Sequence, residues 1–274
     1  MRNIKLTLAY DGSDFCGWQI QPGQPTIQGT LTDVLEQLTQ HRPTLFAAGR
    51  TDAGVHAAGQ VANFKTDSSL SVSEFQRALN ALLPPSIRVL GSQETADDFH
   101  ARWHAVAKTY RYRIFRGPVV PPFLWRYVHH DSQPLDFDAM AKAALCFEGE
   151  HDFTTFAAST GSEEMDRERT PIRAIYKSEI ARCGEKCGSL ALDLDEEWEY
   201  VVRGKSFLRY MVRKMVGTLI EVGRGRLSPE DIPALLALRD NTKSGATMPS
   251  QGLCMVRVEH RTLADAGENT LRPM

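Results

Sequence analysis

Apolar and polar side chains alternate from the start of the chain. Ile4, Leu6, Leu8 and Tyr10 fall on one face and Lys5, Thr7 and Ala9 on the other, which predicts a half-buried strand ended by a turn at Asp11-Gly12. The period then becomes helical at Ile27, Leu31, Val34, Leu35 and Leu38, with Thr26 placed to cap the first turn. Short apolar stretches at 44–48 and 60–64 predict two strands joined by a loop. Ser71-x-x-Glu74 is a capping box ahead of Phe75, Ala78, Leu79 and Leu82; Pro84-Pro85 stops that helix, and 86–91 predicts a further strand.

The second half begins in the same way. Residues 108–115 put Tyr110, Tyr112 and Ile114 on one face and Arg111 and Arg113 on the other. A helix near 136–147 and strands near 172–181, 189–195 and 198–203 follow. The clearest helical stripe runs through Leu208, Met211, Val212, Met215, Val216, Leu219 and Ile220. Ser228-Pro229-Glu230-Asp231 combines a cap, a first-turn proline and acids at a helix start. A last strand spans Leu253 to Val258, and 262–274 reads as a tail.

Each half thus reads roughly strand-helix-strand-strand-helix-strand, the second with one strand and one helix more. That order predicts an α+β fold of two similar βαββαβ-type halves, 1–104 and 105–261, forming a mixed, mostly antiparallel sheet flanked by helices. The duplication rests on element order alone, because no residue-level repeat accompanies it.

Composition narrows the class. With 274 residues, 42% hydrophobic and 24% charged, the chain has the make-up of a soluble globular protein of one large or two small domains. No apolar run approaches the ~20 residues of a membrane span, and the N-terminus lacks the apolar stretch of a signal peptide. Five irregularly spaced Cys argue for a reducing cytoplasm rather than a disulfide framework. The net charge of −2, from 32 Lys+Arg and 34 Asp+Glu, speaks at first against nucleic acid.

The charge is, however, segregated. Phe99–His130 holds six basic residues (Arg102, Lys108, Arg111, Arg113, Arg116, Arg126) and no acid, interleaved with Trp103, Tyr110, Tyr112, Phe115 and Phe123. Arg203–Arg226 holds seven (Arg203, Lys205, Arg209, Arg213, Lys214, Arg224, Arg226) against one acid, Glu221. The acids gather at Glu163–Glu168 and Asp193–Glu199 instead. Such windows are either solvated faces or an RNA surface, in which cations neutralise phosphates and aromatics stack on unpaired bases.

One segment departs from core-building grammar: Ala48-Gly49-Arg50-Thr51-Asp52-Ala53-Gly54-Val55-His56. Two glycines shape a loop that carries an Arg, an Asp and a His. A carboxylate beside a guanidinium stays ionised, which suits a nucleophile or base. The same residues also suit a structural turn capped by Asp52. A small-molecule hydrolase would call for a second carboxylate near Asp52, and the string offers none. His129-His130 and Cys183-x3-Cys187 are isolated pairs rather than four-ligand metal sets, and no phosphate-binding glycine pattern or G-x-S-x-G is present.

At this loop the chain resembles the TruA family of tRNA pseudouridine synthases. Five segments match in order: Tyr10-Asp11-Gly12 with Gly17-Trp18-Gln19; Ala48 to His56 with Gly59-Gln60-Val61; Asp98 to Arg102; Lys108 to Tyr112; and Phe207 to Gly217. The resemblance implies the pseudouridine synthase fold and conversion of uridine to pseudouridine at positions 38, 39 and 40 of the tRNA anticodon stem-loop. It also implies tRNA as partner, a homodimer, and no cofactor, metal or membrane. Carried over by position, Asp52 is the catalytic nucleophile and Arg213 the arginine that pairs with it. Tyr110 packs on the target base, Arg50 helps to flip it, and Leu253 lines the uracil pocket. Cys16, Leu208-Arg209-Tyr210 and the acidic stretch Ser159–Arg169 depart from the family's usual residues.

Overall fold

The structure, a computed structural model, describes residues 1–158, 170–183 and 197–261. It divides into two compact units: Met1–Lys108 with the segment from Met255 onward, and Thr109–Cys254.

The first unit follows the expected order: β1 (Arg2–Tyr10), α1 (Ile27–Thr39), β2 (Phe46–Ala47), β3 (His56–Thr66), α2 (Val72–Leu82) and β4 (Ile87–Thr95). β1 lies between β3 and β4, antiparallel to both. Its alternation sends Ile4, Leu6 and Leu8 into the core with no exposed surface. Burying each such side chain contributes about 1.5–3 kcal/mol. Ile4 faces Phe64 across the ladder, and Phe75 of α2 meets Phe64 edge-on with centroids 5.6 Å apart, so α2 covers this face. Both predicted caps are present: Thr26 accepts from Gly29 N, and Ser71 and Glu74 form the reciprocal capping box.

The opposite face is covered as well. Val61 packs with Ala48 and Ala101. Asn63 donates to Asn3 Oδ1 at 3.0 Å and accepts from Ala101 N at 2.9 Å, while Asn3 donates to the carbonyls of Ala96 and Phe99. These bonds tie the 96–101 segment to the sheet.

The second unit contains β5 (Ala105–Phe115, which starts in the first unit), β6 (His129–His130), α3 (Phe137–Leu145), β7 (Gly149–Asp152), β8 (Ile172–Arg182), β9 (Glu197–Gly204), α4 (Met211–Gly223) and α5 (Asp231–Leu238). The strands order β5-β9-β8-β7, with β6 parallel to β5. Arg113 on β5 grips the fully buried Glu197 of β9 with two parallel bonds, from Nε and Nη2 to the two carboxylate oxygens. α4 buries Met215, Val216 and Leu219 completely, and Phe147 meets Phe156 edge-on beneath. β10 (Leu253–His260) returns the chain to the first unit.

Three expectations change. The 44–48 strand shrinks to the two residues of β2, because the chain already turns into the loop at Ala48. The helix expected from Leu208 starts at Met211, since Tyr210 takes a left-handed conformation at φ 60° that cannot continue a helix. The helix after Ser228 begins at Asp231, whose carboxylate accepts from Ser228 N, so the Ser-Pro-Glu stretch forms a lead-in turn. The expected strand at 189–195, the acidic segment and the tail lie outside the described residues.

Candidate active site

The loop between β2 and β3 is pinned from several directions. Ala48 N donates to Val61 O at 2.8 Å, and the buried Gln60 amide donates to Gly49 O at 2.8 Å. Thr51 is held twice: its hydroxyl bonds Tyr10 Oη at 2.8 Å, and its carbonyl accepts from Trp18 N at 3.0 Å. A register shift in β1 between Leu8 and Tyr10 accompanies this placement of Tyr10, as bulges beside sites commonly do. Gly54 N donates to Phe15 O, and Gly12 N donates to Nδ1 of the buried His56 at 3.1 Å.

Two glycines of the 10–18 segment make this docking possible. A Cβ on Gly12 would lie 2.1 Å from Val55 O, and one on Gly17, which has φ +89°, would lie 2.6 Å from Thr51 O. Within the loop, Val55 N donates to Asp52 O at 3.1 Å, and Gly54 at φ +75° supplies the left-handed third position of that turn. Asp52 is half-buried at the corner, and Arg50 is exposed before it. The segment is therefore a turn and a fixed display of a carboxylate at once.

The second unit positions Tyr110, Arg213 and Leu253. Tyr110 is buried on β5 with its ring edge-on to Phe207, centroids 5.0 Å apart. Arg213 stands on the first turn of α4, its guanidinium 4.9 Å from the Tyr210 ring centroid. Its Nε donates to Met248 O at 2.5 Å, and its carbonyl accepts from Met248 N. The 245–252 segment is thereby strapped along α4: Gly245 N donates to Thr218 Oγ1, and a Cβ on Gly217 would lie 1.9 Å from Ala246 O. Tyr112 holds the far end of the strap, donating to Pro249 O at 2.9 Å with its ring packed on Gly252. Burial pushes the Tyr112 hydroxyl well above the usual tyrosine range, so it remains a donor. Leu253 follows directly, buried at the start of β10. A cavity of about 320 Å³ beside the strap is lined by His129, Asp131, Glu221 and Arg224 among others. Its buried Asp131 pairs with Arg224 at 2.7 Å, so that charge is satisfied internally.

Comparison with known proteins decides the family. The family model described as tRNA pseudouridine synthase matches residues 7–104 and 143–260. The chain belongs to the tRNA pseudouridine synthase family. A relative from Solibacter usitatus, named tRNA pseudouridine synthase A, is 46% identical over 95% of this chain and 100% of its own. Relatives of the same name from Moorella thermoacetica (45%, covering 94% of this chain and 99% of its own) and Brevibacillus brevis (41%, 94% and 99%) agree.

The spans matched by the family model take in Arg50, Asp52, Arg213 and Leu253; Tyr110 falls between them. Arg50 and Asp52 stand in the first unit, and Tyr110, Arg213 and Leu253 in the second. Sequence reading passed over the supports. Tyr10 and Tyr112 read as apolar strand positions and Gln60 as part of a matched segment, while their hydroxyl and amide partners lie 41, 137 and 11 positions away. His56, left without a catalytic role in the sequence reading, is a buried tie to Gly12, with Asp11 Oδ1 3.2 Å from the same ring nitrogen. Among the described residues no three His, Cys, Asp or Glu side chains gather as a metal site requires, and no helix is long and apolar enough to cross a membrane.

Proposed function

We propose that this chain isomerises uridine to pseudouridine at positions 38, 39 and 40 of the tRNA anticodon stem-loop, with Asp52 as nucleophile on a base turned out of the stack. Family membership supports the coarser reading, an isomerase of tRNA uridine. The observation that supports the role of Asp52 is the loop itself. A half-buried carboxylate is held at a turn corner by Tyr10, Gly12, Gly17 and Gln60, a degree of fixation that a solvent loop has no need of.

The reaction breaks the bond from ribose C1′ to base N1 and forms one from C1′ to C5. A proton leaves C5 and N1 takes one up, so no external reactant enters the balance. One ionised carboxylate, acting at C1′ or at the ring, serves as the covalent catalyst. A stacked base must be turned out first, which costs a few kcal/mol. Exposed Arg50 is suited to filling the vacated stack, and the firmly packed Tyr110 ring to holding the everted base, where stacking is worth ~1–3 kcal/mol. Arg213 keeps Asp52 ionised, and Leu253 lines the pocket for the freed uracil. The enzyme acts as a homodimer in the cytoplasm.

Transcripts carrying a single tritiated uridine at position 38, 39 or 40 test this reading. Tritium release from each, and none from a transcript lacking uridine there, is the expected result. Release from uridines elsewhere in the tRNA with these three silent would contradict it.

A further inference from the structure

Residues 99–104 form a turn that faces two ways. Inward, Ala101 is fully buried; its N–H donates to Asn63 Oδ1 and its carbonyl accepts from His260 Nε2 at 2.8 Å. Phe99 packs on the same cluster. Outward, His100 Nδ1 accepts from the backbone N–H of Arg102 at 3.1 Å, while His100 N donates to His104 Nδ1 and His104 N to His100 O. The ring is thus fixed by its own turn. With Nδ1 accepting, it is neutral and carries its proton on Nε2. Burial, with His104 and Arg102 nearby, holds its pKa below the usual histidine range.

Against this fixed imidazole lies Trp103, stacked flat at 4.2 Å and 11°. Phe46 of β2 packs against His100 with centroids 4.7 Å apart. Trp103 is 77% exposed although its turn is well anchored. Core packing does not explain such a residue, because one ring face rests on His100 and the rest meets water. An aromatic face that is flat, rigid and already desolvated on its back is a stacking platform, and any nucleobase fits one without sequence preference. Arg102 is exposed beside the indole and can meet a phosphate; of the two exposed acids just before this turn, Asp97 is already paired with Lys65 at 2.6 Å. Phe46 precedes Asp52 by six residues, which limits the separation of their backbones to ~20 Å.

We infer that the Phe46–His100–Trp103 column is an accessory RNA-binding site on which an unpaired nucleotide of the tRNA substrate stacks, away from the uridine being isomerised. This rests on the proposed action on tRNA and adds a contact that sets affinity, not the chemical step.

The test is tRNA binding and turnover by Trp103→Ala and Trp103→Phe in the full chain. Because Trp103 is mostly exposed, neither variant should shift Tm. Trp103→Ala should weaken Kd for a tRNA transcript and raise KM about tenfold, with kcat within about twofold of wild type. Trp103→Phe keeps a ring and should stay within about threefold in Kd. Unchanged tRNA affinity in Trp103→Ala would overturn the inference, and conversion of a dimer to a monomer with that affinity intact would assign the column to a second copy of this chain instead. Binding is read without catalysis, so failure here is separable from failure of the proposed reaction, which would show as missing tritium release by wild type.

Discussion

Gly17 packs on the backbone of Thr51 so closely that a Cβ would lie 2.6 Å from the Thr51 carbonyl oxygen. The residue after it, Trp18, donates its N–H to that same oxygen at 3.0 Å. Thr51 precedes Asp52, so this contact sets where the carboxylate stands. Gly17→Ala combines a clash against backbone with a side chain at φ +89°. It should cost about 1–3 kcal/mol of stability and lower kcat/KM at least about tenfold. Thermal melts and pseudouridine assays on the variant check this; wild-type values in both would mean that the loop is not held there.

The strap along α4 makes a prediction about Tyr112. Tyr112→Phe retains the ring on Gly252 and removes only the hydroxyl bond to Pro249 O. A single hydrogen bond is worth about 0.5–1.5 kcal/mol. If the strap places Arg213 and Leu253, the variant should fold normally and lose about threefold to tenfold in kcat with KM unchanged. A matching rise in KM would instead make Tyr112 a binding residue.

Arg213→Lys preserves charge but not shape. Arg213 uses Nε on Met248 O while its planar guanidinium lies over the Tyr210 ring, and an ammonium cannot reproduce that arrangement. Turnover should fall by about tenfold to a hundredfold, the scale of an ångström of misplacement. Near-normal turnover would remove Arg213 from the catalytic account.

Two half-buried histidines give the stability a pH dependence. Burial lowers the pKa of His129, with Asp131 opposing and Arg224 and His130 assisting, and burial likewise lowers that of His260 beside Lys5, His104 and Lys108. Both titrate from an ordinary value of 6.5. A depressed folded pKa means that the unfolded chain binds protons first as pH falls. Their contribution is therefore fully present above pH ~6.5 and is lost as pH falls through the folded values. Tm should drop between pH 7 and 5, and His129→Gln should flatten part of that slope. A slope unaltered by the substitution would remove His129 as a source.

Much of this architecture was legible because its signals are local. The alternation of Ile4, Leu6 and Leu8, the Thr26 cap and the Ser71–Glu74 box each involve neighbours within a turn or a strand. Asp52 stood out because two glycines, an Arg and a His surround it in nine residues. What the sequence hid is the long-range support. Tyr10 reads as the last apolar position of a strand, yet its hydroxyl reaches Thr51. Tyr112 shares a face with Tyr110 and reads as core, which it is, while its hydroxyl serves Pro249. The left-handed Tyr210 that delays α4 leaves no trace in hydrophobic periodicity. The charge segregation marked a window free of acids from Phe99 to His130, but periodicity and charge could not show that Trp103 lies flat on His100.

The central claim is that Asp52 performs covalent chemistry on tRNA uridine, and Asp52→Asn tests it most directly. The substitution keeps the size of the side chain and leaves the loop's backbone bonds at Ala48, Thr51 and Val55 in place. Tritium release from a transcript with uridine at position 39 should fall to background while tRNA Kd stays within about threefold of wild type. Pseudouridine formation by the variant at a rate near that of wild type would contradict the account.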